Sequence, residues 1–245
     1  SRNPDLARQH PADYLSGLKS SIAGAIEQAV RNQQDFDPAD IIGIGVDTTG
    51  STPLPIDAAG QPLCFKEEFA NNPAAMAWLW KDHTSHAEAN EITELAKQKR
   101  PQYLGRCGGV YSSEWFWAKL LRAAREVPEV FDAAATWVEI ADWIPAILTG
   151  NEKPDLIQRG YCAAGHKAMF HDSWGGYPDE EFLGELDPRL ARVRKTLPSK
   201  AHSIAEKAGH LTEDWAKELG LKAKIPVAVG AFDAHLGAVG SGIEK

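Results

Sequence analysis

Apolar residues recur at helical spacing near the start of the chain: Tyr14, Leu15, Leu18, Ile22, Ile26, Ala29 and Val30 line one side of residues 11–31, and Pro11 suits a first turn. The period then changes. Over 40–46, Ile42, Ile44 and Val46 alternate with glycines, which predicts a short strand with one face open to a close neighbour. It runs into the polar loop Asp47-Thr-Thr-Gly-Ser-Thr52. Residues 53–65 read as a hairpin around Asp57-Ala-Ala-Gly60. Helices are expected at about 74–98, 113–126 and 128–134, then a strand over 136–140 and a helix over 142–148 stopped near Gly150. Residues 151–178, rich in glycine and aromatics, read as loop. A capped helix is expected over 212–219, ended by Gly220. Finally the apolar strand 225–230 passes into 232–239, the start of a helix.

Strands alternating with helices predict an α/β fold, in which ligands gather beyond the C-terminal ends of strands. Two polar loops sit there, 47–52 and 231–235. No internal repeat or low-complexity tract interrupts the pattern. The length of 245 residues suits one large domain or two small ones. A net charge of -8 argues against a nucleic-acid partner, because phosphate binding wants clustered Lys and Arg. It leaves anionic substrates open. Three cysteines, Cys64, Cys107 and Cys162, with no C-x-x-C, fit a reducing, cytoplasmic setting and give no zinc cage. No run of about 18 apolar residues is present, so no membrane partner is expected. The chain opens on Ser1 without a signal-like segment, as a processed protein or an excised fragment would.

Asp233 follows an apolar strand and opens a helix. A carboxylate there faces the helix N-terminus, which favours its charged form, and in a cleft it can accept the proton of an attacking hydroxyl. In the same place it is also an ordinary helix cap. Asp47, in a strand ending D-x-x-G-[ST], resembles the metal-binding Asp of phosphate-gripping loops, and equally a plain polar corner. The chain holds 8 Trp. Core packing should claim most of them, but Trp80 is followed by Lys81, Asp82 and His83, and polar groups beside a ring suit a polyol. Lys167 lies in a stretch of little apolar content; it can donate to sugar oxygens or stay a solvated surface lysine. His83 and His86 are spaced H-x-x-H, with His166 and His171 farther on, but no third ligand stands at metal spacing, so no metal site is expected. There is no G-x-S-x-G elbow.

Together these segments resemble the FGGY carbohydrate kinases, in particular members that act on L-ribulose. The matching stretches are Gly43-Ile-Gly-Val-Asp-Thr-Thr-Gly-Ser-Thr52, Leu79-Trp-Lys-Asp-His-Thr84, Tyr111-Ser-Ser-Glu-Trp-Phe-Trp-Ala-Lys119, Ala141-Asp-Trp-Ile-Pro145, Arg159-Gly160, Ala164-Gly-His-Lys167, Ser173-Trp-Gly-Gly176 and Gly230-Ala-Phe-Asp-Ala-His-Leu-Gly-Ala-Val-Gly240. The resemblance implies an actin-like, ribonuclease H-like α/β domain. It implies transfer of the ATP γ-phosphate to the terminal hydroxyl of L-ribulose in arabinose breakdown, with ATP and Mg2+ serving the complete enzyme and a homodimer as its assembly. By resemblance Asp233 is the catalytic base, and Gly50, Trp80, Lys167 and Asp233 contact the sugar, while Asp47 moves from phosphate loop to sugar pocket. It further implies that residues 1–240 form an N-terminal sugar-binding domain without its opening strands. Residues 241–245 then begin a linker to a nucleotide-binding domain, so no nucleotide-binding residue is assigned. The alternatives are a sugar-binding module without catalysis, or a kinase of the same family acting on another pentulose or polyol.

Overall fold

The computed structural model describes residues 3–33 and 35–243. In chain order its elements are β1 (Arg8–Gln9), α1 (Pro11–Asn32), β2 (Asp47–Thr48), β3 (Pro53–Ile56), β4 (Ala77–Trp78), α2 (His86–Lys99), α3 (Pro101–Leu104), α4 (Phe116–Glu126), α5 (Pro128–Ala133), β5 (Thr136–Glu139), α6 (Ile140–Thr149), α7 (Tyr161–Lys167), α8 (Glu180–Leu186), α9 (Pro188–Arg194), β6 (Lys207–His210), α10 (Glu213–Leu219), β7 (Pro226–Ala228), β8 (Ala231–Phe232) and α11 (Asp233–Gly240). The strands pair two by two: β1 with β4, β3 with β5 and β6 with β7 antiparallel, and β2 with β8 parallel.

The parallel pair matters most for function. Ile44 bridges to Val227, and farther along Asp47 faces Ala231 and Thr48 faces Phe232. Residues 44–48 and 227–232 therefore run side by side in the same direction and end at the same level. Whatever follows them, the loop after Thr48 and the start of α11, emerges together.

Two large apolar cores form, the second of them holding Val227 of the parallel pair. One gathers Ile92, Tyr103, Trp117, Leu120, Phe131, Phe182 and Leu190 from the helices α2, α3, α4, α5, α8 and α9. The other joins Leu54, Val138, Trp143, Leu148, Leu219 and Val227, with Leu15, Leu18 and Ile22 of α1 packed half-buried against it. The α10 helix starts and stops where its sequence says: Thr212 accepts from the Trp215 N–H, and Gly220 closes the other end at φ +67°, where a side chain would be strained.

Several expectations need correction. The strand expected over 40–46 pairs only at Ile44 before β2, and Ile42 is 84% exposed. The helix expected over about 74–98 forms only from His86. Its first part is instead a turn at Pro73–Ala75 and the strand β4, because Arg8 stacks on the Trp78 ring at 3.5 Å and residues 7–9 take up the backbone of 77–79. The stretch 151–178 is not all loop, since it contains α7. The helices α8 and α9 were not foreseen, although Asp179 and Asp187 cap them through the N–H groups of Phe182 and Arg189. The hairpin turn does form: the Asp57 N–H donates to the Gln61 carbonyl at 2.9 Å, with Gly60 at φ +85°. The main partner of β3, however, is the distant β5.

Candidate functional site

Asp233 is the first residue of α11, directly after β8. The residue in the capping position is Phe232, which makes no side-chain cap bond. The Asp233 carboxylate accepts from the Ala234 N–H at 2.7 Å and is otherwise exposed at the strand end, so it does not serve as the N-cap. Gly50 lies against the same segment. A Cβ at that position would sit 2.1 Å from the ring of the buried Phe232, so the backbone of the 49–52 loop passes closer to β8 than a side chain allows.

Lys167 ends α7 and is 8% exposed, so it is not the solvated lysine its surroundings in the sequence would suit. Its ammonium stands 5.3 Å over the Trp115 ring. Burial pulls its pKa below the usual lysine range, while Glu114, Glu139, Cys162 and Asp233 act against that pull. Lys167 and Asp233 thus lie close enough for their charges to interact. The α7 end is fixed from behind: the Tyr111 hydroxyl donates to the Lys167 carbonyl at 2.5 Å, and the Trp117 indole N–H to the Ala168 carbonyl at 2.9 Å.

Trp80 is the exposed indole, at 43%. Trp117, Trp137 and Trp143 are buried in the cores, and Trp78 is 2% exposed. The loop that carries Trp80 is anchored by Asp82, which is fully buried. Its carboxylate pairs with Arg8 and accepts from the Ala7 N–H at 2.7 Å and the Thr84 hydroxyl at 2.6 Å. The 49–52 and 78–82 loops meet at Lys119 of α4, whose ammonium donates to the carbonyls of Ser51 and Leu79, each at 2.8 Å.

Beside Asp233 opens a cavity of about 360 Å³ lined by Arg106, Tyr161, Cys162, His166, Phe170 and His235, among others. His235 contacts the Cys162 sulfur, and the His166 and His235 rings lie 5.1 Å apart. The other histidine pair, His83 and His86, is stacked at 5.8 Å, with His83 3.9 Å from Glu114. Among the described residues no group of three or more His, Cys, Asp or Glu side chains could hold a metal ion. Asp47 is exposed on β2 opposite Ala231, at the base of the Gly50 loop.

Beneath the site, Asp142 of α6 is buried and accepts the Gly160 N–H at 2.8 Å. Burial raises its pKa to about 7, against the opposing pull of Arg159 and this hydrogen bond. The folded chain then binds a proton there that the unfolded chain releases near pH 4, so the carboxyl destabilises the fold increasingly as pH rises from about 4 to about 7. Asp142→Asn keeps an acceptor for Gly160 and has no charge to bury. Urea unfolding at several pH values should show the variant gaining on the wild type by up to about 1.4 kcal/mol per pH unit across that window. A constant difference between the two proteins would contradict the assignment.

Comparison with known proteins places this arrangement in a family. Residues 1–240 match the N-terminal domain of the FGGY family of carbohydrate kinases, and the chain belongs to that family. A ribulokinase of Vibrio parahaemolyticus is 47% identical over 236 residues, which is 96% of this chain and 41% of that protein. A ribulokinase of Bacillus licheniformis is 41% identical over 98% of this chain and 42% of its own length. The chain thus spans about two fifths of the length of these curated relatives. Among solved structures, the xylulose kinase of Rhodospirillum rubrum superposes with a TM-score of 0.74 at 22% identity, covering 100% of this chain and 44% of that one. The glycerol kinase of Plasmodium falciparum with ADP gives 0.71 at 16% identity, covering 99% and 43%. The fold is therefore the α/β, actin-like one of these kinases, reached here with short, two-stranded pairings.

Lys119, Glu139 and Arg8 are the site-building residues that sequence reasoning passed over; Asp82, expected as a polar group facing a polyol beside Trp80, is instead buried against Arg8. Lys119 did leave a signal: three residues after Phe116 and four before Ala123, it falls on the apolar face of α4. The pairing of Arg8 with Asp82 left none, because the two are remote in sequence.

Proposed function

We propose that this chain forms the sugar-binding side of an ATP-dependent kinase that phosphorylates L-ribulose to L-ribulose 5-phosphate. The observation that carries the reading is the 47% identity to a relative named ribulokinase, across nearly the whole chain. The geometry supports it. Gly50 gives a bare backbone edge against Phe232, Lys167 a buried cation, Asp233 an exposed carboxylate and Trp80 an exposed ring, and the loops of Gly50 and Trp80 meet at Lys119. Trp80 stacks against the apolar face of the sugar and Lys167 donates to its hydroxyls. Asp233 accepts the proton of the O5 hydroxyl as that oxygen attacks phosphorus.

When bound, ATP with Mg2+ supplies the phosphoryl group. No residue of this chain is assigned to the nucleotide. In this reading residues 1–240 are the sugar half and the chain beyond leads toward a nucleotide-binding half; of that stretch, residues 244 and 245 lie outside the described ones. No helix of the described residues is long and apolar enough to cross a membrane. A cytoplasmic homodimer taking a small sugar as its only other partner completes the reading.

Calorimetric titration tests it. The 245-residue chain is expected to bind L-ribulose in preference to D-xylulose and glycerol, and to release no ADP from Mg-ATP in its presence. Phosphoryl transfer is mostly positioning and electrostatic stabilisation of the transferred group, and in this reading the nucleotide-binding half supplies the groups for that. Preference for D-xylulose or glycerol would reassign the substrate, and sugar-dependent ADP release would overturn the division of labour.

A further inference from the structure

We infer that Lys119 is a positioning residue that sets the separation between the Gly50 loop and the Trp80 loop, and so the width of the sugar cleft. The inference rests on the reading of these loops as sugar-binding.

Lys119 lies within α4, fully buried, where an ammonium is costly unless every donor finds a partner. Its three donors find the Ser51 carbonyl at 2.8 Å, the Leu79 carbonyl at 2.8 Å and the Trp78 carbonyl at 3.4 Å. One acceptor immediately follows Gly50 and another immediately precedes Trp80. Among the described residues no hydrogen bond joins 49–52 to 78–82 directly, so the ammonium is their common tie. The opposite charge sits across the first loop. Glu139 of β5, 4% exposed, accepts from the Ser51 hydroxyl and from the Thr52 N–H, the latter at 2.6 Å. Ser51 is therefore gripped from two sides, its carbonyl by Lys119 and its hydroxyl by Glu139. The two charged groups come from a helix of one core and a strand that borders the other. A simple core lysine would need only satisfied donors; this one spends them on two separate loops that carry the candidate sugar contacts.

Two readouts test the inference on the 245-residue chain. The first is amide hydrogen exchange, which does not depend on sugar. In Lys119→Met the Thr52 and Asp82 amides should exchange roughly tenfold or more faster, while the α4 amides keep wild-type rates. The second is L-ribulose affinity, read by tryptophan fluorescence, which should weaken roughly tenfold in the same variant. Lys119→Arg, which still presents donors to the carbonyls, should restore both. Unchanged exchange in either loop, or wild-type affinity despite loosened loops, would overturn the inference. If Lys119→Met does not fold, Lys119→Gln, which keeps two donors, is read in the same way; unfolding of both would make Lys119 a structural residue and likewise overturn it. Failure of the wild-type chain to bind L-ribulose would instead remove the sugar reading, while the exchange result still decides whether Lys119 ties the loops.

Discussion

Replacing Asp233 by Asn in the full-length kinase should lower kcat by about two to four powers of ten, the usual range for a positioned acid–base group, and change sugar affinity far less. An alcohol is a poor nucleophile, and its proton must leave as the bond to phosphorus forms. In the proposed reading Asp233 receives that proton. Its backbone is fixed by β8, and its carboxylate stands exposed at the start of α11, where it accepts from the Ala234 N–H. The amide of Asn keeps an oxygen that can still contact the hydroxyl but has no basic site. The measurement is steady-state kinetics with L-ribulose, supported by a circular dichroism spectrum matching the wild type. Near-normal kcat with a raised KM would make Asp233 a binding residue and place the base elsewhere. Because Asp233 is exposed and carries little packing, the variant should fold, and the kinetic result should be decisive.

How much of this was legible in the sequence depended on the range of the interactions involved. The α1, α5, β5, α6 and α10 segments were readable because period, proline, caps and the Gly150 and Gly220 stops act within a turn or two. The placement of Asp233 after an apolar strand was equally local. What the sequence hid was long-range pairing. The helix expected from about residue 74 gave way because Arg8 and Asp82, remote in the chain, clamp β4 and the Trp80 loop into another shape. The strand expected over 40–46 kept its direction but little regular pairing, since its alternating glycines bring few side chains to hold it. The meeting of the Gly50 and Trp80 loops was invisible for the same reason: it is made by a lysine on α4, remote from both in the chain. The four candidate sugar contacts came from motif resemblance, and the approach of Gly50 to Phe232 and of its loop to the Trp80 loop needed the fold.

The largest stability effect is expected at Gly230, the residue between β7 and β8. A Cβ there would lie 1.8 Å from the backbone carbonyl oxygen of Ala141 and 2.8 Å from its carbon. No rotamer relieves such a clash, because both partners are main chain. Ala141 belongs to α6, which is buried along almost its whole length, so the helix cannot retreat without opening the core around Trp143 and Leu148. Neither can the strand, since the Ala231 N–H is bonded to the Val46 carbonyl at 3.0 Å and the Phe232 N–H to the Cys162 sulfur at 3.2 Å. Overpacking of cores costs about 1–3 kcal/mol and occasionally more; a contact with fixed backbone on both sides belongs at or above the top of that range. Gly230→Ala should therefore lower the unfolding free energy by about 3 kcal/mol or more, read from the midpoint of a urea transition. Whatever strain the fold absorbs falls on the next residues, Ala231, Phe232 and Asp233, so folded Gly230→Ala protein should also bind L-ribulose more weakly. Gly237→Ala is the control: a Cβ there meets nothing within 4 Å, and its stability should stay within about 1 kcal/mol of the wild type or rise, since alanine favours the helix. Equal stability of Gly230→Ala and the wild type would mean that β8 and α6 do not approach as closely as described, and that the position of Asp233 relative to the sugar loops needs redrawing.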